Sequence, residues 1–190
     1  KDDYIIIPTE SQMHNYISLC IENNVISIDT ETTGLDPMLD KIVGLCIYTP
    51  NQPAAYVPIN HVSYVTGEKV ADQLDSEIVL YNLDRCYKAN IDVIMFNAKF
   101  DIRVLRNQIG WTNAYCTWDA YLAAKLMNEN EESSGLKALY KKYVLNGEGD
   151  AFSFDALFKG VSFDKIPVNV GYLYAAHDAI ITYELYQYQK

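Results

Sequence analysis

The sequence lacks several features, and each absence removes a class of protein from consideration. No apolar run approaches the length of a membrane-spanning helix and no signal peptide is present, so we expect a cytoplasmic protein without a membrane partner. The four cysteines form no Cys-x-x-Cys pair, so we interpret them as reduced, structural thiols. Internal repeats and low-complexity tracts are also absent, which excludes a repeat architecture.

An excess of positive charge is missing as well. The chain has 15 lysines and arginines against 25 aspartates and glutamates, a net charge of −10 at pH 7. A broad surface that binds duplex DNA is normally basic, so this composition argues against one. It leaves open a narrow site at strand ends, where metal ions supply the positive charge, and a basic neighbouring domain.

The length and the hydrophobic content favour one folded domain. The chain has 190 residues, of which 49% are hydrophobic, enough for a sizeable core. It starts at Lys1 without an initiator methionine, and its last helical pattern has no stop signal. We therefore expect residues 1–190 to form a single, monomeric domain that is a fragment of a longer protein.

Hydrophobic periodicity predicts an α/β fold with a central mixed β-sheet flanked by α-helices. Three consecutive strands joined by turns predict an antiparallel meander, and a fully buried strand follows after a helix. The predicted strands are Tyr4–Ile7, Val25–Glu31, Lys41–Tyr48, Ala54–Ile59 and Ile91–Phe96. The predicted helices are Glu10–Asn23, Glu68–Ala89, Asn97–Gln108, Trp118–Met127, Ser134–Tyr143 and Val168 to the end, with a helical turn at Phe154–Phe158.

Two carboxylates end the first strand of the predicted meander. Side chains alternate along a strand, so Asp29 and Glu31 share one face and Thr30 points to the other. Neighbouring acids repel and burial disfavours both charges, but a divalent cation between them offsets these costs. Hard oxygen ligands suit Mg²⁺ or Mn²⁺. The pair does not establish a metal site by itself, because acids at strand ends are common on protein surfaces.

Two further pairs of polar residues are spaced by four. Asn97 and Asp101 follow the buried strand at the start of a helix, where α/β proteins commonly place functional groups. Tyr174 and Asp178 lie one turn apart in the last helix. Residues four apart share a helix face, so we expect each pair to act at one place. The competing interpretation of each pair is a solvated polar surface.

These residues form three motifs in chain order: Asp29-x-Glu31, Asn97-x-x-Phe100-Asp101 and Tyr174-x-x-x-Asp178. The set resembles the three exonuclease motifs of the DEDD superfamily. The last motif has a tyrosine four residues before its aspartate, and in this it resembles the DEDDy branch of the superfamily. The histidine branch has a histidine five residues before it, where this sequence has Leu173.

Surrounding stretches narrow the resemblance to the proofreading domain of family A DNA polymerases, the polymerase I type. They are Ala54 to His61, Trp118-Asp119 with Leu122, and the Gly135 to Leu139 helix. The resemblance implies a ribonuclease H-like fold and 3′-5′ exonuclease activity that removes nucleotides from DNA. The implied partners are a single-stranded DNA 3′ end and a covalently linked polymerase domain, whose products this domain proofreads.

The resemblance also implies a metal centre of two Mg²⁺ ions, which Mn²⁺ can replace. Asp29 bridges the ions in that arrangement, Glu31 and Asp178 complete the first site, and Asp101 holds the second. Two ions about 3.5–4 Å apart activate a water and relieve charge on the leaving 3′ oxygen. Tyr174 is implied to orient the attacking water, because a phenol with a pKa of about 10 is a poor base.

We assign Thr30, Leu35, Asn97 and Phe100 to substrate binding. Leu35 matches the family position that wedges against the terminal base, and apolar stacking suits sequence-independent binding of a single strand. Asn97 is expected to contact the DNA strand or to support the site. For Phe100, packing against the rest of the protein is the alternative to substrate binding.

Four further residues are expected to have no catalytic role. Asp119 is expected to cap a helix or to support the site. Lys137, Lys141 and Lys142 are expected to form a solvated helix face.

Two alternatives remain open. An exoribonuclease of the RNase D type shares the four acids, and the chemistry does not separate it from a deoxyribonuclease. A non-catalytic nucleic-acid-binding module with a degenerate site is the other alternative, and the presence of all four acids argues against it.

Overall fold

A six-stranded mixed sheet forms the centre of the fold in the computed structural model, which describes residues 3–149 and 158–190. The strands are β1 (Tyr4–Ile6), β2 (Val25–Thr32), β3 (Ile42–Tyr48), β4 (Ala54–Pro58), β5 (Asp92–Met95) and β6 (Trp118–Asp119). Their order across the sheet is β1-β4-β3-β2-β5-β6. Strand β3 is antiparallel to β2 and β4, while the other neighbours pair in parallel. The predicted meander, formed by β2, β3 and β4, and the mixed α/β sheet are confirmed.

Six α-helices flank the sheet within the described ranges. They are α1 (Glu10–Asn23), α2 (Ser76–Lys88), α3 (Ala98–Val104), α4 (Ala120–Met127), α5 (Leu136–Tyr143) and α6 (Val168–Gln189). None of these helices combines the length and the apolar character that crossing a bilayer requires. The helical turn predicted at Phe154–Phe158 falls outside the described residues, except for Phe158 itself.

Two boundaries differ from the sequence prediction. Helix α2 begins at Ser76 and not at Glu68, because the Gln73 amide donates hydrogen bonds to the His61 and Val70 carbonyls and holds the preceding segment as a loop. The segment predicted as the start of a helix at Trp118 begins instead with β6, which pairs with β5. Both differences arise from contacts between segments that are distant in sequence.

Helices pack on both faces of the sheet, because alternate side chains of its strands point to opposite sides. On one face, helices α1 and α2 cover Ile26, Ile28, Leu45, Ile47 and Val57. On the other face, helix α6 packs through small side chains against the meander. The residues at this second interface include Val43, Cys46, Tyr56, Ala175, Ala176 and Ala179.

This second face carries the acidic end of β2. Asp29 pairs across the ladder with Cys46, which packs in the α6 interface, and Glu31 pairs with Gly44. The register shifts between Glu31 and Thr32, where the regular ladder ends. Helix α6 therefore crosses the sheet beside the two carboxylates that end β2.

Gly44 makes room for the buried side chain of Tyr56 on the neighbouring strand β4. The Tyr56 side chain is fully buried, and its hydroxyl lies 2.6 Å from Nε2 of His61. A Cβ atom added to Gly44 would overlap the Tyr56 hydroxyl and ring. Position 44 therefore requires glycine for steric reasons.

We expect Gly44→Ala to destabilise the protein by about 2 kcal/mol, because the added methyl group overpacks a rigid core position. For a domain of this size, such a loss lowers the melting temperature by roughly 4–8 °C. Gly135→Ala is the matched control, since a Cβ atom there meets no atom within 4 Å. Equal melting temperatures for the Gly44 variant and the wild type would contradict this account of the packing.

Candidate active site

Carboxylates from three elements converge at the end of β2. Asp29 and Glu31 belong to β2, Asp101 to α3 and Asp178 to α6. Burial raises the pKa of Asp29 well above its ordinary value, and the charges of Asp101, Glu31 and Asp178 raise it further. We call these four residues the acidic cluster. The structure thus brings together the four acids that the sequence pairs suggested.

Asp101 is held by the neighbouring strand. The Thr30 hydroxyl donates a hydrogen bond of 2.5 Å to Asp101 Oδ1, and the Thr30 amide donates to the same atom at 3.3 Å. Burial nevertheless raises the pKa of Asp101 to about 7, against the effect of these bonds. Thr30 points away from Asp29 and Glu31, as the strand alternation predicts. Its hydroxyl positions Asp101, while a contact between Thr30 and substrate stays a prediction.

Asp178 has a single described ion-pair partner. Its Oδ1 atom lies 3.5 Å from Lys137 Nζ, and no described group gives this oxygen a hydrogen bond. Burial raises the pKa of Asp178 to about 6, and the Lys137 charge opposes that rise. Lys137, which was expected on a solvated helix face, is 38% exposed and also reaches the acidic cluster, because α5 packs along α6. Lys142, on the same helix, binds the buried carboxylate of Glu131 at 2.9 Å.

The donor atoms fit a hard divalent cation. One ligand atom each from Asp29, Glu31 and Cys46 lies within 4.8 Å of the others. Burial, followed by the Glu31 charge, raises the pKa of the Cys46 thiol well above its ordinary value, so the carboxylates are the better ligands. Oxygen-rich sets of this kind suit Mg²⁺ and similar ions. Asp178 lines the same cleft as Asp29 and Glu31, and its Oδ1 accepts no hydrogen bond from the described residues.

A cleft of about 390 Å³ opens beside the acidic cluster and includes Leu35 and Phe100 in its lining. Leu35 is 90% exposed, and Met38 and Leu39, in the same loop, are 70% and 82% exposed. Asp36 Oδ1 accepts hydrogen bonds from the Met38 and Leu39 amides, so the loop has a defined conformation. Met38 and Leu39 lie outside the lining of the cleft, and no role is assigned to them.

Asp119 caps two helices at the edge of the site. Its carboxylate accepts hydrogen bonds from the Asn97 and Ala98 amides at 2.9 Å and from the Tyr121 amide at 3.0 Å. The predicted capping role is confirmed. Asn97 precedes α3 in a left-handed conformation (φ 61°, ψ 59°) and is exposed, whereas Asp101 is buried. The two residues therefore do not share the environment that their spacing predicted.

Tyr174 lies one turn before Asp178 in α6 and is partly buried. Its ring contacts Phe158 edge to face, with a centroid distance of 5.9 Å. Phe100 is partly buried against the main core while it lines the cleft, so both of its expected roles remain compatible with its position.

Comparisons with known proteins agree on one family. A family model described as 3′-5′ exonuclease matches residues 4–189. The sequence is 27% identical over 183 residues to DNA polymerase I of Borreliella burgdorferi. That match covers 96% of this chain and 19% of the polymerase, so the chain spans about a fifth of the length of this relative.

Solved structures share the architecture. RNase D of Trypanosoma brucei has a TM-score of 0.71 at 16% identity, covering 98% of this chain and 64% of that one. Brucella melitensis NrnC with bound Mg²⁺ has a TM-score of 0.64 at 22% identity, covering 98% and 77%. These likenesses show the fold, and the predicted ribonuclease H-like architecture is confirmed.

The raised pKa of Asp101 has a consequence for stability without metal. Because its folded-state pKa of about 7 lies above the unfolded-state value of about 4, stability falls as the pH rises between these values. Asp101→Asn removes the charge and therefore this loss of stability, and its amide oxygen can still accept the hydrogen bond from Thr30. We expect the variant, melted in EDTA at pH 8, to be more stable than the wild type by up to about 4 kcal/mol. The advantage should shrink at pH 5.

The exposed Asp92 provides the control for this measurement, since Asp92→Asn changes the same charge outside the cluster. A lower melting temperature for Asp101→Asn than for the wild type at pH 8 would show that the Asp101 carboxylate stabilises the metal-free fold, contrary to the prediction.

Proposed function

The chain belongs to the 3′-5′ exonuclease family, and from this premise we propose that it removes nucleotides from DNA 3′ ends and proofreads for an attached DNA polymerase. The observation that carries the proposal is the convergence of four carboxylates at the mouth of an open cleft. The similarity to part of a DNA polymerase I supports DNA as the substrate and a polymerase domain as the covalent neighbour. Residues 1–190 are the exonuclease domain in this proposal.

Two Mg²⁺ ions, or Mn²⁺ in their place, are part of the proposal. Asp29, Glu31, Asp101 and Asp178 would hold them, because these carboxylates carry negative charge that the described residues only partly offset. When bound, the ions supply an activated water and charge relief on the leaving 3′ oxygen. The Mg²⁺ bound to the Brucella structure of the same fold supports this choice of metal.

The chain's own residues position the reacting groups. The Thr30 hydroxyl fixes the Asp101 carboxylate, so that its second oxygen can serve as a ligand. The Tyr174 hydroxyl, one turn from Asp178, is assigned to orient the attacking water through a hydrogen bond. Asp119 fixes the start of α3, which carries Asp101. Each of these contacts reduces the motion of a group that must be aligned with the scissile phosphodiester.

Apolar side chains are assigned to the bases of the substrate. Leu35 and Phe100 line the cleft and offer flat or apolar surface to the terminal nucleotides, which requires no sequence-specific hydrogen bond. Asn97, exposed at the start of α3, is assigned to contact the DNA strand beside the cleft.

An exoribonuclease is the second candidate. The fold is shared with an RNase D, and phosphodiester hydrolysis by a carboxylate site does not require a deoxyribose. The similarity in sequence to a DNA polymerase favours the deoxyribonuclease. A non-catalytic binding module is disfavoured, because the charge repulsion within the acidic cluster costs stability and does not contribute to binding nucleic acid.

The activity is tested with 5′-labelled single-stranded DNA and RNA oligomers of one sequence, incubated side by side with Mg²⁺. We expect the wild type to shorten DNA progressively from its 3′ end, and EDTA to stop the reaction. Replacing Asp29 and Glu31 by alanine should lower the rate by at least about 100-fold, because direct metal ligands are lost.

Asp92→Ala is the control for the loss of an acidic residue, as it lies outside the cluster. Undiminished shortening by the Asp29/Glu31 double variant would exclude the proposed site. Faster shortening of RNA than of DNA by the wild type would replace the deoxyribonuclease with the second candidate.

The substrate role of Leu35 has its own test. We expect Leu35→Ala to raise KM for single-stranded DNA about tenfold, because an apolar contact with a base is lost, with little change in the affinity for Mn²⁺. Val65→Ala is the matched control, since Val65 is also 90% exposed but does not line the cleft. An equal KM for the two variants would remove Leu35 from the substrate site.

A further inference from the structure

Lys137 forms an ion pair with Asp178, a member of the acidic cluster. Its Nζ atom lies 3.5 Å from Asp178 Oδ1, and its charge also acts on Asp29. The family model and the comparisons assign no role to this lysine. The role of its contact with Asp178, at the edge of the acidic cluster, therefore has to be explained from the structure.

The helix that carries Lys137 is anchored by residues that follow Lys137 in the chain. Leu139 is fully buried, and the Tyr140 hydroxyl donates a 2.5 Å hydrogen bond to Glu184 of α6. Lys142 reaches the buried Glu131 carboxylate from the same helix. The backbone of α5 is therefore held in place, and Lys137 reaches Asp178 from a rigid support.

The Lys137 side chain itself retains freedom to move. It is 38% exposed, and its flexible four-carbon stem can carry the ammonium group into solvent without any movement of α5. The ion pair with Asp178 can thus break at little cost to the packing of the helix.

A divalent cation and the Lys137 ammonium require the same carboxylate. A cation that binds Asp178 Oδ1 would lie within a few ångströms of Nζ if the lysine did not move. Two positive charges a few ångströms apart near a protein surface repel each other, and the double charge of a divalent ion doubles that repulsion. Simultaneous occupation is therefore strongly unfavourable.

We propose that Lys137 is a positioning residue that occupies the cation position beside Asp178 in the metal-free protein and swings into solvent when a divalent cation binds there. The inference rests on the proposed function, because it takes the acidic cluster to be a metal site. Lys137 holds Asp178 in place between metal-bound states and stabilises the metal-free fold, and it lowers the affinity of the site for metal.

The test is a calorimetric titration of the full chain with Mn²⁺, in the absence of nucleic acid. Lys137→Met keeps the length of the side chain and removes the competing charge, so we expect it to lower the Mn²⁺ dissociation constant about tenfold. Lys137→Arg keeps the charge and should stay within about twofold of the wild type. The metal-free Lys137→Met protein should also melt at a lower temperature, and Mn²⁺ should raise its melting temperature by more than it raises that of the wild type.

Lys88→Met is the matched control. Lys88 forms an ion pair of 3.6 Å with Asp84 on α2, on the opposite side of the sheet, so its replacement changes the net charge equally without touching the cluster. We expect its Mn²⁺ affinity to equal that of the wild type.

The outcomes separate the inference from the proposed function. If the wild type binds Mn²⁺ and Lys137→Met binds it equally or more weakly, the competition does not exist and the inference is overturned. If the wild type binds no Mn²⁺, the metal site fails, and the proposed function fails with it. Tighter binding by Lys137→Met and Lys88→Met alike would reflect net charge alone and would also overturn the inference.

Discussion

The repulsion among four carboxylates at the end of one strand is the constraint on which the site depends. Burial raises the pKa values of Asp29, Asp101 and Asp178, and the charges of the other three acids raise that of Asp29 further, so the metal-free cluster opposes folding near neutral pH. The surrounding structure offsets part of this cost through the Thr30 hydroxyl and the Lys137 ammonium. A cluster that is only partly neutralised in this way attracts added positive charge, which is what the proposed metal site requires.

The packing of α6 on the sheet makes the convergence possible. Alanines at the interface allow the helix to lie close to the strands, and Gly44 leaves room for Tyr56 in the same interface. Because α6 crosses the end of β2 at this short distance, Asp178 approaches Asp29 although the two residues are far apart in the chain. Membership of the 3′-5′ exonuclease family agrees with this geometry. It also agrees with the acidic composition, since a narrow metal-dependent site at strand ends does not require a broad basic surface.

Much of the architecture was predictable because it follows from local patterns. The periodicity of apolar residues placed α1 at Glu10–Asn23 and predicted the meander. The same reasoning failed at α2 and β6, where hydrogen bonds from Gln73 and pairing with β5 decide the boundary. Local propensity carries no information about such contacts, because each depends on a partner that the fold delivers from elsewhere in the chain.

The sequence by itself determined the residue types of the acidic cluster and the shared face of Asp29 and Glu31, because the alternation of side chains is a property of any strand. Tertiary structure alone decided that the Thr30 hydroxyl, 71 residues away in sequence, holds Asp101, and that Lys137 forms an ion pair with Asp178. The physical reason is that hydrogen bonds and ion pairs act over a few ångströms. Only the packing of α3, α5 and α6 around the sheet brings these partners within that range.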